Sequence, residues 1–237
     1  MRRNAFLMLP ATWLLLGTTL AAAMPLSAAH AAADDAVTCE QASGDVALAA
    51  CTRAIASGQY QDHDLAKLHY YRAMEHTERG DGAGAIADYS EAIRLYPKDA
   101  DFHNNRGSAW YAKGDNDRAI ADYSEAIRLD PKDHAAFFNR GLAWRGKGDN
   151  DRAIADYSEA IRLDPKDADV YNNRGNAWRG KGDNDRAVAE YSEAIRLDPQ
   201  DAMFYRNRSS AYRATGDYVR ALWDHYKAAT LEREVRH

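Results

Sequence analysis

The stretch GDNDRAIADYSEAIRLDPKD occupies residues 114–133 and returns letter for letter at 148–167. A third copy at 182–201 differs only at Val188, Glu190 and Gln200, and an earlier one at 80–99 departs at Gly82, Ala83, Gly84 and Tyr96. Pro97, Pro131, Pro165 and Pro199, and likewise Tyr89, Tyr123, Tyr157 and Tyr191, therefore recur every 34 residues. A fixed period in this range constrains the chain to an array of like units, each burying a face that its neighbour leaves open. Within 100–133, Asp99 is placed to cap a first helix that ends before Lys113-Gly114, and Asp115 or Asn116 to cap a second. Ala119, Ile120, Tyr123, Ala126 and Ile127 fall on one face at helical, not strand, spacing. Pro131 stops that helix and biases Asp130 out of the helical region.

Counted from Ala100 as position 1, Gly107 and Ala119 are small at positions 8 and 20, where the two helices approach. Trp110 and Tyr123 stand at 11 and 24, and Ala126 and Pro131 at 27 and 32. Units 134–167 and 168–201 carry Gly141, Ala153 and Pro165, then Gly175, Ala187 and Pro199, in the same places. This pattern resembles the tetratricopeptide repeat, over 66–235. The resemblance implies an all-α fold, a right-handed superhelical solenoid of antiparallel helix pairs, with units at 66–99, 100–133, 134–167, 168–201 and 202–237, the last including a C-terminal capping helix. The end units depart from it, with Ala73 and His76 in the first and Ser209, His225 and Arg233 in the last. Terminal repeats are expected to be atypical, because one side faces water. GDVALAACTRAI resembles a shortened copy of the second helix, so 34–65 reads as a degenerate helical hairpin.

Residues 1–33 read differently. Arg2 and Arg3 precede an uncharged, largely apolar run from Phe6 to Leu26, followed by small-residue sites at Ala29-His30-Ala31 and Ala31-Ala32-Ala33. That is the architecture of a cleaved secretory signal peptide and implies a periplasmic or secreted protein with no stable membrane insertion. An uncleaved anchor is the alternative, since the run is long enough to span a bilayer; Asp34 and Asp35 follow with no basic stop-transfer residues. Losing two arginines takes the formal charge from −5 to −7. A mildly acidic protein has no general attraction for nucleic acid or anionic lipid. Oxidising surroundings and an even cysteine count point to a disulfide between Cys39 and Cys51. On one straight helix the two would lie about 18 Å apart, against a limit of about 7 Å for a bridge. If the two pair, the chain must therefore reverse between them, and Ser43-Gly44-Asp45 supplies the turn residues.

No phosphate loop, nucleophile elbow or metal motif is present, and no cofactor is implied. His69 and His76 lie seven apart without a third ligand and are expected to be core or interface histidines. The serines and carboxylates of DYSEAI recur along the array, which suits a solvated helix face better than one active site. The expectation is a non-enzymatic scaffold for a protein or peptide partner.

In the resembled family, first helices line a concave groove. Position 6 holds Asn105, Asn139, Asn173 and Asn207, a series that resembles the asparagine ladder of the O-GlcNAc transferase superhelix. A carboxamide both donates and accepts, so it can pair with any peptide backbone; it can equally tie a helix to its neighbour. Position 12 holds Tyr111, Arg145, Arg179 and Arg213, a stripe suited to an acidic peptide unless local acids pair it. Arg106, Arg140, Arg174 and Arg208 at position 7 are expected to be structural, snorkelling past the core. Binding through the convex face or end caps, as an envelope-assembly subunit or a regulator of a cell-wall or polysaccharide enzyme, is the alternative; Trp223 is its marker. The oligomeric state stays open.

Overall fold

The computed structural model describes residues 26–234, so most of the expected leader and residues 235–237 lie outside it. Among the described residues there are twelve helices and no strands. α1 (Leu26–Gln41) and α2 (Gly44–Ala56) form the N-terminal hairpin. Five pairs follow: α3 (Asp62–Glu78) with α4 (Gly82–Leu95), α5 (Ala100–Ala112) with α6 (Asn116–Leu129), α7 (His134–Gly146) with α8 (Asn150–Leu163), α9 (Ala168–Gly180) with α10 (Asn184–Leu197), and α11 (Ala202–Ala214) with α12 (Tyr218–Glu234). α1 starts ahead of residue 34, because the alanine-rich run from Ala28 has high helix propensity. Its Ala32 is buried, and the Ala32 carbonyl accepts from the Tyr60 hydroxyl at 2.9 Å. The chain reverses at Ala42-Ser43, and the Cys39–Cys51 disulfide forms across a Cα–Cα distance of 4.7 Å.

The repeated letters write repeated caps. Asp99, Asp133, Asp167 and Asp201 each accept a backbone N–H from two residues on, and Asp115, Asp149 and Asp183 do so from three residues on. Each cap stabilises its helix by about 1 kcal/mol, useful where helices of 13 or 14 residues are marginal alone. Gly114, Gly148 and Gly182 turn the chain between paired helices at φ near +80°, a region that favours glycine.

Packing supplies the rest. Tyr89, Tyr123, Tyr157 and Tyr191 are buried, as are Ala119, Ala126 and their counterparts. The Tyr123 ring lies so close to α5 that a Cβ on Gly107 would meet it at 2.8 Å; Gly141 and Gly175 stand in the same relation to Tyr157 and Tyr191. First helices of successive units touch one another, α5 with α7, α7 with α9 and α9 with α11, and so form the inner layer of the curved array.

The structure corrects the reading of DYSEAI. Asp88, Asp122, Asp156 and Asp224 are buried, and each receives two guanidinium N–H bonds from the arginine 16 residues earlier. In the 168–201 unit Glu190 takes that place and meets Arg174 at 2.9 Å. The same arginines reach across the unit boundary: Arg106, Arg140, Arg174 and Arg208 donate to Ser90, Ser124, Ser158 and Ser192 of the preceding unit. These arginines are therefore structural, but by pairing rather than by snorkelling into water. Only the glutamates of the stretch are solvated, holding Arg94, Arg128, Arg162 and Arg196 one turn on. Burial by itself pushes the Asp122 carboxyl up, but the bonds from Arg106, with the His103 ring 3.9 Å away, overcome it and hold the group below its usual range. Asp88 behaves alike, with Arg72 and His69 as its donors.

Candidate functional site

The inner layer carries every position expected to face a ligand. Its asparagines are half-buried, and their amide nitrogens are engaged. Asn139 Nδ2 donates to Asn104 Oδ1 at 3.1 Å, Asn207 to Asn172 at 2.8 Å and Asn105 to the Tyr70 hydroxyl at 3.2 Å. Each of these bonds spans 35 residues and ties a first helix to that of the unit before it. Asn173 finds Phe138 at the matching place, which accepts nothing, and donates to the Asp169 carbonyl at 2.9 Å. Three of the four asparagines thus act as register bonds between units.

The arginines separate into four series, and three of them are paired. Those at position 7 hold buried carboxylates, those at 29 hold glutamates, and Arg118, Arg152, Arg186 and Arg220 hold the aspartates that cap their own helices. The last four also lie over Trp110, Trp144, Trp178 and Tyr212, at 4.5 to 4.6 Å from the ring centroids. Those tryptophans are half-buried, packed against the core clusters on one side and covered by cations on the other. Arg145, Arg179 and Arg213 are exposed, and among the described residues none of them has a carboxylate within ion-pair distance.

Tyrosine hydroxyls lie beneath this row. Burial pushes the Tyr191 hydroxyl up to about 12, against the opposing pull of Arg179 and Arg145. Burial likewise raises Tyr157, again opposed by Arg145, and Tyr111 is close enough to act on the same hydroxyl. Tyr111, Arg145 and Arg179 therefore lie near one another. Arg213 lies apart, beside Arg206, Ser209 and His225 around a recess of about 230 Å³. Tyr123 donates to Ser108 at 3.2 Å and Tyr191 to Asn176 at 2.9 Å, but Leu142 occupies the matching place for Tyr157, whose buried hydroxyl has no hydrogen-bond partner.

His69 meets Asp88 at 2.8 Å and His76 meets Asp81 at 2.9 Å, so both histidines serve the packing of α3 on α4. Among the described residues no three His, Cys, Asp or Glu side chains cluster to hold a metal ion, and no helix is long and apolar enough to cross a membrane. The other distinctive surface is on α12, where Tyr218, Val219, Leu222, Trp223 and Tyr226 are 60 to 82% exposed. Trp223 is the member of this patch that the sequence marks.

The tetratricopeptide repeat family model matches residues 70–134, 111–168, 138–201 and 172–234. Among solved structures, MamA from Desulfovibrio magneticus RS-1 is 22% identical, with 71% of this chain and 96% of that chain covered at a TM-score of 0.67. YrrB, described as a TPR protein with an unusual peptide-binding site, is 18% identical over 77% of this chain and 92% of its own, with a TM-score of 0.63. A tetratricopeptide repeat protein from Parabacteroides merdae ATCC 43184 is 19% identical over 86% of this chain and 79% of its own, with a TM-score of 0.73. At these identities the likeness is one of fold. No curated protein matches the chain in sequence.

Proposed function

The chain belongs to the tetratricopeptide repeat family, and from that premise we propose that it is an exported, non-catalytic scaffold whose inner groove holds an extended, acidic segment of a partner protein. The observation that carries this reading is the row of Arg145 and Arg179, exposed cations without a carboxylate in a protein whose other three repeat series of arginines are paired. An arginine fork matches a carboxylate in two parallel bonds. The asparagine series takes a secondary part: Asn105, Asn139 and Asn207 hold the units in register, and all four, Asn173 included, offer side-chain oxygens to the N–H groups of a bound backbone. YrrB offers a precedent for peptide binding on this fold. Export is supported by the leader-like residues 1–33 and by the Cys39–Cys51 bridge, a pairing that persists in oxidising compartments.

The test is affinity capture from the cell envelope by wild type and by Arg145→Gln/Arg179→Gln. Each lost charge-assisted pair should weaken binding by about tenfold, so the double variant, folded by circular dichroism, should lose the partner. A partner retained at undiminished affinity, with no sensitivity to added salt, refutes the cationic groove.

A second reading is favoured by the α12 patch: attachment through the C-terminal end to an envelope-assembly complex, or to a cell-wall or polysaccharide enzyme that the scaffold regulates. Leu222→Glu/Trp223→Ala should then abolish capture while the groove variant leaves it intact.

A further inference from the structure

The junction between the 66–99 and 100–133 units is built differently from the two that follow. At the later junctions Lys147 binds Asp117 and Lys181 binds Asp151, a carboxylate 30 residues earlier on the preceding unit. For Lys113 the corresponding residue is Ala83, and among the described residues Lys113 has no acid partner. The neighbouring position changes with it. Asn116 and Asn150 fill the space over Gly146 and Gly180 so tightly that a Cβ there would meet the amides at 3.0 and 2.8 Å. At the first junction the pair is Gly82 and Ala112, and a Cβ on Gly82 would meet only the stem of Lys113, at 3.7 Å. Thr77 also stands where the next unit has Tyr111. The Asn and Asp that close both later junctions are therefore missing at once, and Thr77 is smaller than the Tyr111 of the next.

What they leave is a cavity of about 380 Å³ between α3, α4 and α5. Thr77, Gly82, Ala83, Ala109 and Ala112 line it, mostly with apolar atoms, and the exposed Lys113 completes the lining. The volume falls in the range of ligand pockets, roughly 300–1,000 Å³. Thr77, one of its lining residues, holds the repeat position that Tyr111, Arg145 and Arg179 hold in the next three units.

We infer that this cavity is an anchor pocket: it takes one large apolar side chain of the bound segment, and Lys113 pairs with a carboxylate beside that side chain. The inference rests on the groove reading above and adds the identity of one ligand residue. An uncharged apolar ligand would leave the lysine unused, and a purely acidic one would leave the apolar walls wet. A segment with an apolar residue flanked by acids satisfies both.

Two fluorescein-labelled peptides test it, Gly-Ser-Phe-Asp-Glu-Asp-Ser-Gly and the same sequence with Ala for Phe, by fluorescence anisotropy. Wild type should bind the Phe peptide about tenfold more tightly, the worth of burying one such side chain. Ala112→Leu, an exposed position on the cavity wall, should remove that ratio by filling the space. Ala83→Asp, which installs the residue found at Asp117 and Asp151, should weaken both peptides several-fold by occupying Lys113. Arg145→Gln/Arg179→Gln should weaken both peptides while keeping their ratio. Equal affinity of wild type for the two peptides, or a ratio unchanged by Ala112→Leu, overturns the pocket and leaves the groove standing. Binding of neither peptide overturns both.

Discussion

Asp122 is 7% exposed and accepts from Arg106 Nε at 2.8 Å and from Arg106 Nη2 at 2.7 Å. Replacing it by alanine leaves the Arg106 guanidinium, its side chain only 21% exposed, without its counter-charge. Breaking a buried pair from one side costs about 3–5 kcal/mol, and the partial exposure of Arg106 places the expectation near the lower end, about 3 kcal/mol. That is a large part of the roughly 5–15 kcal/mol that holds a typical protein folded. Urea unfolding followed by far-UV circular dichroism should therefore show a large drop in midpoint for Asp122→Ala. Glu125→Ala, three residues on and solvated with Arg128, should leave the midpoint nearly unchanged. The double variant Arg106→Met/Asp122→Leu should recover most of the loss, because it removes both charges together. Equal midpoints for Asp122→Ala and Glu125→Ala would refute the claim that this network is structural. Acid supplies a second check. The folded carboxyls of Asp88 and Asp122 sit below their unfolded value of about 3.9, so their contribution is complete above that value and is lost as pH falls through the lower folded one. The deficit of Asp122→Ala should be constant at neutral pH and shrink below about pH 4.

Tyr157→Phe removes a buried hydroxyl that has no partner and should be neutral or stabilising by about 1 kcal/mol, whereas Tyr191→Phe, which loses the bond to Asn176, should cost about 1 kcal/mol; paired thermal melts decide. Gly107→Ala would push a Cβ to 2.8 Å from the Tyr123 ring and should cost about 1–3 kcal/mol by urea titration, despite alanine's higher helix propensity. Cys39→Ser/Cys51→Ser should destabilise the N-terminal hairpin by about 3 kcal/mol. Limited proteolysis should then cut within residues 42–61 and leave the later units intact, since each unit contacts only its neighbours.

Much of the architecture is legible in the letters because it is local and repeated. Caps at Asp99 and Asp115, the stop before Pro131 and the buried face through Tyr123 depend on residues a few positions apart, and 34-residue copies make the pattern plain. The disulfide reversal follows from distance alone. Partner choice among side chains is another matter, since it depends on which faces meet once helices stack. Asp122 reads as a surface carboxylate until α5 is laid against α6 and brings Arg106 to it; the constant spacing of 16 between opposite charges is the sequence's trace of that contact. Asn139 reads as a ligand group until α7 is set beside α5, where Asn104 takes its amide. Conversely, only stacking shows that Arg145 and Arg179 meet no acid, and that Gly82, Ala83 and Thr77, each a minor departure in a copied text, coincide in space as one cavity. Periodicity along the chain determines the helices and their order; the charges and voids are decided by neighbours 16 to 35 residues away, whose approach only the folded array defines.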